Sequence, residues 1–186
     1  TAAGNCNAVA STATTGSEFI NSSITCASSG TVGTPFFDGS KVTVSAGSIT
    51  SISNATSVGA QNVAPNVPNQ TLGGFDADIK GEAISVQQMV FSIATSSLTG
   101  TGQITSISLY GPNGNIVAGP VDGAYVAGAQ TATFTDLVTF PIGKGTYTIK
   151  GKIPSTFTSG SLTVSTTPSS QWTTATGQTS VNSISL

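Results

Sequence analysis

Apolar and polar side chains alternate strictly in FDADIK, residues 75–80. A period of two is typical of a β-strand with one face buried and the other in water. The pattern places Asp76, Asp78 and Lys80 together on the solvent face. The next step, Lys80-Gly81-Glu82, predicts a turn.

The phase of the alternation changes after this turn. Ile84 and Val86 follow one phase, and the apolar residues from Met89 to Ile93 follow the other. A one-residue slip would turn every later side chain to the wrong face. We therefore expect a β-bulge at Gln87-Gln88 that bends one continuous strand and keeps both halves facing the core.

Short strand patterns recur to the C-terminus, and no window predicts a helix of useful length. Pro112-Asn113-Gly114 indicates a hairpin, and Gly143-Lys144-Gly145 indicates another turn. Seven or more such strands predict an all-β fold, an antiparallel Ig-like β-sandwich over residues 41–186. The predicted core comprises Phe75, Ile79, Ile84, Val86, Met89, Phe91, Ile93, Leu109, Phe134, Phe140, Ile149 and Val164.

Residues 1–40 show little periodicity and are rich in Ser, Thr, Ala and Gly. They predict an N-terminal extended arm. Cys6 and Cys26 are the chain's two cysteines, and we expect them to form a disulfide that pins the arm. A loop of this length would contribute about 3 kcal/mol. The alternative is a pair of buried free thiols.

The composition excludes several classes of function. Charged residues make up 6% of the chain, and histidine is absent. Arginine is absent as well, so the clustered cations that bind nucleic acid are missing. Without histidine there is no Ser-His-Asp or Cys-His arrangement and no imidazole ligand for zinc. We expect a protein that is not an enzyme and that has no cofactor.

Calcium is the one metal that the sequence leaves open. Asp76, Asp78 and Glu82 could join Asp122 or Asp136 in an oxygen-rich site, because Ca²⁺ takes 6–8 oxygen ligands. No DxDxDG loop supplies those ligands in sequence. The alternative is a solvated strand face on which Lys80 balances the acids.

Other features favour an extracellular location at the cell surface. The chain begins Thr-Ala-Ala and has no apolar run of 18 residues, so we expect a mature secreted protein without a membrane span. The alternative is an excised fragment of a longer surface protein. Asn21, Asn54 and Asn69 each begin an N-x-[ST] sequon and are candidate glycosylation sites.

Residues 41–186 resemble the Ig-like β-sandwich modules of bacterial and archaeal secreted surface proteins. The likeness lies in NQTLGGFDADIKGEAISVQQMVFSI, ISLYGPNGNIVAG, FPIGKGTYTIKGKI and LTVSTTPSSQWTTATG. The resemblance implies an extracellular, non-catalytic module of a wall, surface layer or fibre.

These observations favour a structural subunit of an extracellular filament, tube or surface layer, whose partners are copies of itself. An extended arm ahead of a sandwich is suited to insert into a neighbour's sheet as an added strand. Phe19, Ile20 and Ile24 are the predicted contacts, and the short strand from Ile184 to Leu186 is the rival donor.

The alternative is an adhesin or carbohydrate-binding module that binds cell-surface or matrix glycans. Its binding residues would come from the few aromatic side chains that could face a sugar. These are Trp172, Tyr110, Tyr125 and Tyr147. The phase of Tyr147 places it in the core, and Trp172 is expected to cap the sandwich.

Overall fold

The computed structural model describes residues 24–26, 30–32, 46–126 and 129–186. The chain divides into two units, Thr1–Thr43 and Val44–Leu186. In the first unit, β1 (Ile24–Cys26) pairs antiparallel with β2 (Gly30–Val32), with Ile24 opposite Val32. These six residues lie within the predicted arm, for which the sequence pattern indicated no pairing between two strands of one chain.

The second unit is an antiparallel all-β structure with one short helix, which confirms the predicted sandwich class. Its helix is α1 (Pro168–Gln171). Its strands are β3 (Ser48–Asn54), β4 (Gln70–Lys80), β5 (Ile84–Val86), β6 (Met89–Thr99), β7 (Thr105–Tyr110), β8 (Ile116–Val121), β9 (Ala124–Val126), β10 (Ala129–Phe134), β11 (Val138–Phe140), β12 (Gly143–Lys152), β13 (Ser159–Ser165), β14 (Ala175–Gly177) and β15 (Ser183–Ile184).

The described residues of this unit form three sheets. The largest has five strands in the order β3-β4-β12-β7-β8. A second has the order β13-β6-β10-β9, and a third has the order β11-β5-β14-β15. Every pairing is antiparallel. Because β13 stands first in the order of its sheet, it is an edge strand with one side unpaired among the described residues.

Side chains from all three sheets meet in one core, with Phe75 of β4 near its centre. Its ring stacks 5.9 Å from that of Phe91 in β6 and lies 6.4 Å from that of Phe140 in β11. Tyr147 of β12 stacks on it at 5.2 Å. Eleven of the twelve predicted core residues are buried, and the exception is Val164.

The passage from β5 to β6 corrects the predicted bulge. Ile84 and Val86 lie in the third sheet, whereas Met89 and Phe91 lie in the second. The chain therefore changes sheets at Gln87-Gln88 instead of bending one strand. The change of phase was the correct signal, because the apolar residues that follow the two phases, Ile84 and Val86 before the break and Met89, Phe91 and Ile93 after it, are all buried. Strands that switch sheets at a bend are a recurrent way to turn a sandwich corner.

The turns predicted at Pro112-Asn113-Gly114 and at Gly143-Lys144-Gly145 have different outcomes. The Pro112-Asn113-Gly114 hairpin is confirmed, and Gly114 has a φ of 75°, which favours glycine. The turn at Gly143-Lys144-Gly145 is wrong, because these residues begin β12 and pair with Ile79, Asp78 and Ala77 of β4. Gly143 and Gly145 suggested a turn because glycine is common in turns, but here they lie inside a strand.

Candidate functional site

A groove of about 870 Å³ opens between β4 and the edge strand β13. Its inner wall includes Phe75 and Phe91, and its outer wall includes Leu162 and Val164 of β13. The loop between β3 and β4 forms the remaining side, through residues such as Val58. None of the lining residues carries a charge. The volume lies in the range of about 300–1,000 Å³ that is usual for ligand pockets.

Two adjacent glycines in β4 shape the floor of the groove. A Cβ on Gly74 would lie 2.9 Å from a methyl carbon of Val58 and 2.8 Å from the carbonyl oxygen of Tyr147. A Cβ on Gly73 would lie 3.3 Å from the Cβ of Val164. The missing side chains therefore let the β3–β4 loop and β13 come close to the backbone of β4.

Val164 was predicted to be a core residue, and the structure corrects this. Val164 and Leu162 are only partly buried, although both pack against the core. In contrast, Ile93 of β6, which lies opposite Val164, is fully buried. The difference arises because β13 is an edge strand beside the groove, where no described element covers its inward face.

Asp76 lies on the face that the sequence pattern assigned to solvent, but it is 8% exposed. Its carboxylate accepts a 2.6 Å hydrogen bond from the Thr146 hydroxyl and lies 3.0 Å from the Lys144 ammonium. The hydrogen bonds from Thr146 and Lys144 lower the pKa of Asp76. The prediction failed because β4 lies between β3 and β12, and two side chains of β12, Thr146 and Lys144, contact the Asp76 carboxylate.

Glu82 is also buried, and it joins the two ends of the sandwich unit. Its carboxylate accepts hydrogen bonds from the Ser180 hydroxyl at 2.5 Å, the Ser180 amide at 2.8 Å and the Thr179 amide at 2.6 Å. A fourth comes from the Gly47 amide at 3.2 Å. We call these contacts the Glu82 clamp. It fixes the C-terminal turn against the start of β3.

The Glu82 clamp depends on an ionised carboxylate. The hydrogen bonds from the Ser180 hydroxyl and amide, followed by that from Thr179, lower the pKa of Glu82 from 4.5 to about 2. Donors aimed at the charged form lower a carboxyl pKa in this way. Position 177, beside the Glu82 carboxylate, requires glycine, since a Cβ on Gly177 would lie 2.6 Å from the Glu82 carboxyl carbon.

The structure does not bring the calcium candidates together. Asp122 accepts a 2.8 Å hydrogen bond from the Ser106 amide, and Asp136 accepts one of 2.8 Å from the Gly119 amide. Asp76 and Glu82 have the separate partners given above, and Asp78 is half-buried. Over residues 46–126 and 129–186, no three His, Cys, Asp or Glu side chains form a group that could hold a metal.

The aromatic candidates for a sugar site lie mainly in the core. Trp172 stacks 5.8 Å from Phe140, and its indole nitrogen donates a 2.8 Å hydrogen bond to Thr166. Tyr147 is 2% exposed. Tyr110 is half-buried beneath the Lys150 ammonium, which lies 4.5 Å from its ring centre. The Tyr125 side chain is outside the described part of the chain.

Several predicted sites fall on residues that the structure does not describe. Cys6, Phe19, Ile20 and Asn21 are among them, so the Cys6–Cys26 disulfide stays a prediction. Ile24 lies in β1, but its side chain is not described.

The other two sequons lie in the described part of the chain. Asn54 ends β3 and Asn69 precedes β4, and both are exposed.

No helix in the described ranges is long and apolar enough to cross a membrane. In comparisons with known proteins, no family model, curated protein or solved structure matches this chain.

Sequence reasoning missed both the groove and the Glu82 clamp. The clamp joins Glu82 to residues 97 and 98 positions away, and no local pattern reports such contacts. The Gly73-Gly74 pair was the available signal for the groove, because glycine inside a strand marks a bulge or a close approach of backbone.

Proposed function

We propose that this protein is a structural subunit of an extracellular filament, tube or surface layer and that it has no catalytic role. Neighbouring subunits would join when the N-terminal arm of one adds a strand to the sandwich of the next. Low charge supports this proposal, since a formal net charge of −2 produces little repulsion between copies.

One observation carries the proposal: the edge strand β13 leaves apolar side chains of the sandwich partly uncovered. Leu162 and Val164 face the core, yet both remain partly exposed beside an uncharged groove. An added strand would cover these side chains and would pair with backbone N–H and C=O groups along the free side of β13.

The rival donor at the C-terminus is already used within its own sandwich. β15 pairs with β14, with Ile184 opposite Ala175. Ile184 and Leu186 pack against the core. Releasing this segment would expose apolar surface and break a sheet pairing, so the N-terminal arm is the better donor.

Negative-stain electron microscopy of the full chain tests the proposal. We expect uniform fibres, tubes or sheets with a regular repeat. A double variant, Phe19→Ser with Ile20→Ser, should remain dispersed, because its arm lacks the apolar side chains that would fill the next sandwich. Dispersed wild-type particles over a wide concentration range would contradict the proposal.

A further inference from the structure

We infer that the groove between β4 and β13 is the acceptor site for the arm segment around Phe19 and Ile20 of a second copy. This inference rests on the proposed function and adds the site at which the donated strand binds. The added strand would run along the free side of β13 and place alternate side chains between Leu162 and the Phe75–Phe91 pair.

The chemistry of the groove matches this segment. The groove lining is uncharged and combines apolar side chains with Ser, Thr, Asn and Gln. Residues 1–37 have a similar composition, and Glu18 is their only charged side chain. Burial of an unpaired charge is costly, but an extended strand that turns Phe19 toward the groove turns Glu18 toward solvent. The uncharged lining is therefore compatible with this segment.

The lengths are also compatible. β13 has seven residues, which span roughly 23 Å at the usual rise of a strand. Residues 14–23, which precede β1 inside the loop that the predicted Cys6–Cys26 disulfide would close, could span roughly 33 Å when extended. The arm is therefore long enough to place a whole strand in a neighbouring groove and to leave a linker.

The position of the groove favours a chain of subunits over a closed pair. Near the start of the sandwich unit, the Gly47 amide donates a hydrogen bond to Glu82, and Ser48 pairs with Lys80 at one end of β4. The groove lies along the other half of β4, from Thr71 to Phe75. The Lys80 end of β4 and the groove are separated by roughly 17–30 Å of strand. A head-to-tail contact between different surfaces that does not close produces a fibre.

Two substitutions test the acceptor site in the full chain. Leu162→Asp places a charge in the groove, whereas Leu137→Asp makes the same change at an exposed leucine that is not part of the groove lining. We expect Leu162→Asp to lower the polymer fraction in sedimentation velocity at least tenfold and Leu137→Asp to leave it unchanged. Val164→Thr, a milder change in the same wall, serves as the second groove variant if Leu162→Asp fails to fold.

A synthetic peptide of residues 14–25 identifies the occupant. It is added to the full-length Phe19→Ser, Ile20→Ser variant, and hydrogen exchange is followed over residues 159–165. We expect at least tenfold slower exchange at alternate amides of β13. A peptide carrying the same two Ser replacements should give no protection.

The outcomes separate this inference from the proposed function. Normal fibres from Leu162→Asp would overturn the acceptor site and leave the filament proposal standing. If the peptide protects β13 in the variant but the wild-type protein never polymerises, the acceptor site would be supported and the filament would be overturned. Protection of β13 in dilute wild-type monomers would show that the arm occupies its own groove, which would overturn binding by a second copy.

Discussion

Replacing Phe91 with alanine measures how much the centre of the sandwich contributes to stability. Phe91 is 1% exposed and contacts three aromatic rings, with centroids 5.9 Å away in Phe75 and Phe134 and 6.1 Å away in Trp172. Truncation of a buried Phe to Ala costs about 3–5 kcal/mol. For a chain of this size, each kcal/mol lowers Tm by about 2–4 °C, so the expected decrease is about 6–20 °C.

Thermal and urea unfolding followed by circular dichroism would measure this loss. Leu137→Ala is the matched control, because Leu137 is 60% exposed and its truncation should change stability by no more than about 0.5 kcal/mol. Equal losses in the two variants, or a loss below about 1 kcal/mol for Phe91→Ala, would show that the predicted centre of the core is wrong.

Three further predictions concern the carboxylates and the cysteines. Glu82→Gln should destabilise the protein at neutral pH. The carboxyl pKa falls from 4.5 to about 2 on folding, so wild-type stability from this group is complete above pH 4.5 and is lost as pH falls toward 2. The urea midpoints of the wild type and of Glu82→Gln should therefore converge in acid. A difference between the midpoints that stays constant with pH would contradict the role of the Glu82 clamp. Asp76→Asn with Asp78→Asn should keep the β-type spectrum, and EDTA should not change Tm; a decrease that Ca²⁺ reverses would establish a calcium site. Intact mass after alkylation without reductant should show no modified cysteine, whereas two alkylated thiols would disprove the Cys6–Cys26 disulfide.

The alternation of apolar and polar residues was sufficient to predict the fold class and most of the core. Phe75, Ile79 and Ile149 are buried as expected, because a strand period of two reports directly which face a side chain takes. The same pattern could not distinguish a bulge from a change of sheet at Gln87-Gln88. Both keep the apolar residues inside, and only the pairing partners differ.

The candidate site was less predictable, because it depends on long-range contacts. The burial of Asp76 follows from its neighbours in β12, and that of Glu82 follows from a turn near the C-terminus. The partial exposure of Val164 follows from the position of β13 at the edge of a sheet. Strand order and edge position are properties of the whole chain, so local periodicity carries no signal for them.

Assembly of a chain that lacks residues 1–40, measured beside the full chain, tests the central claim most directly. Sedimentation velocity and negative-stain microscopy would report polymer, and circular dichroism would report folding. We predict that the full chain polymerises and that residues 41–186 form a folded monomer with reduced stability, because its acceptor groove stays empty. Normal fibres from the truncated chain would contradict strand donation by the arm.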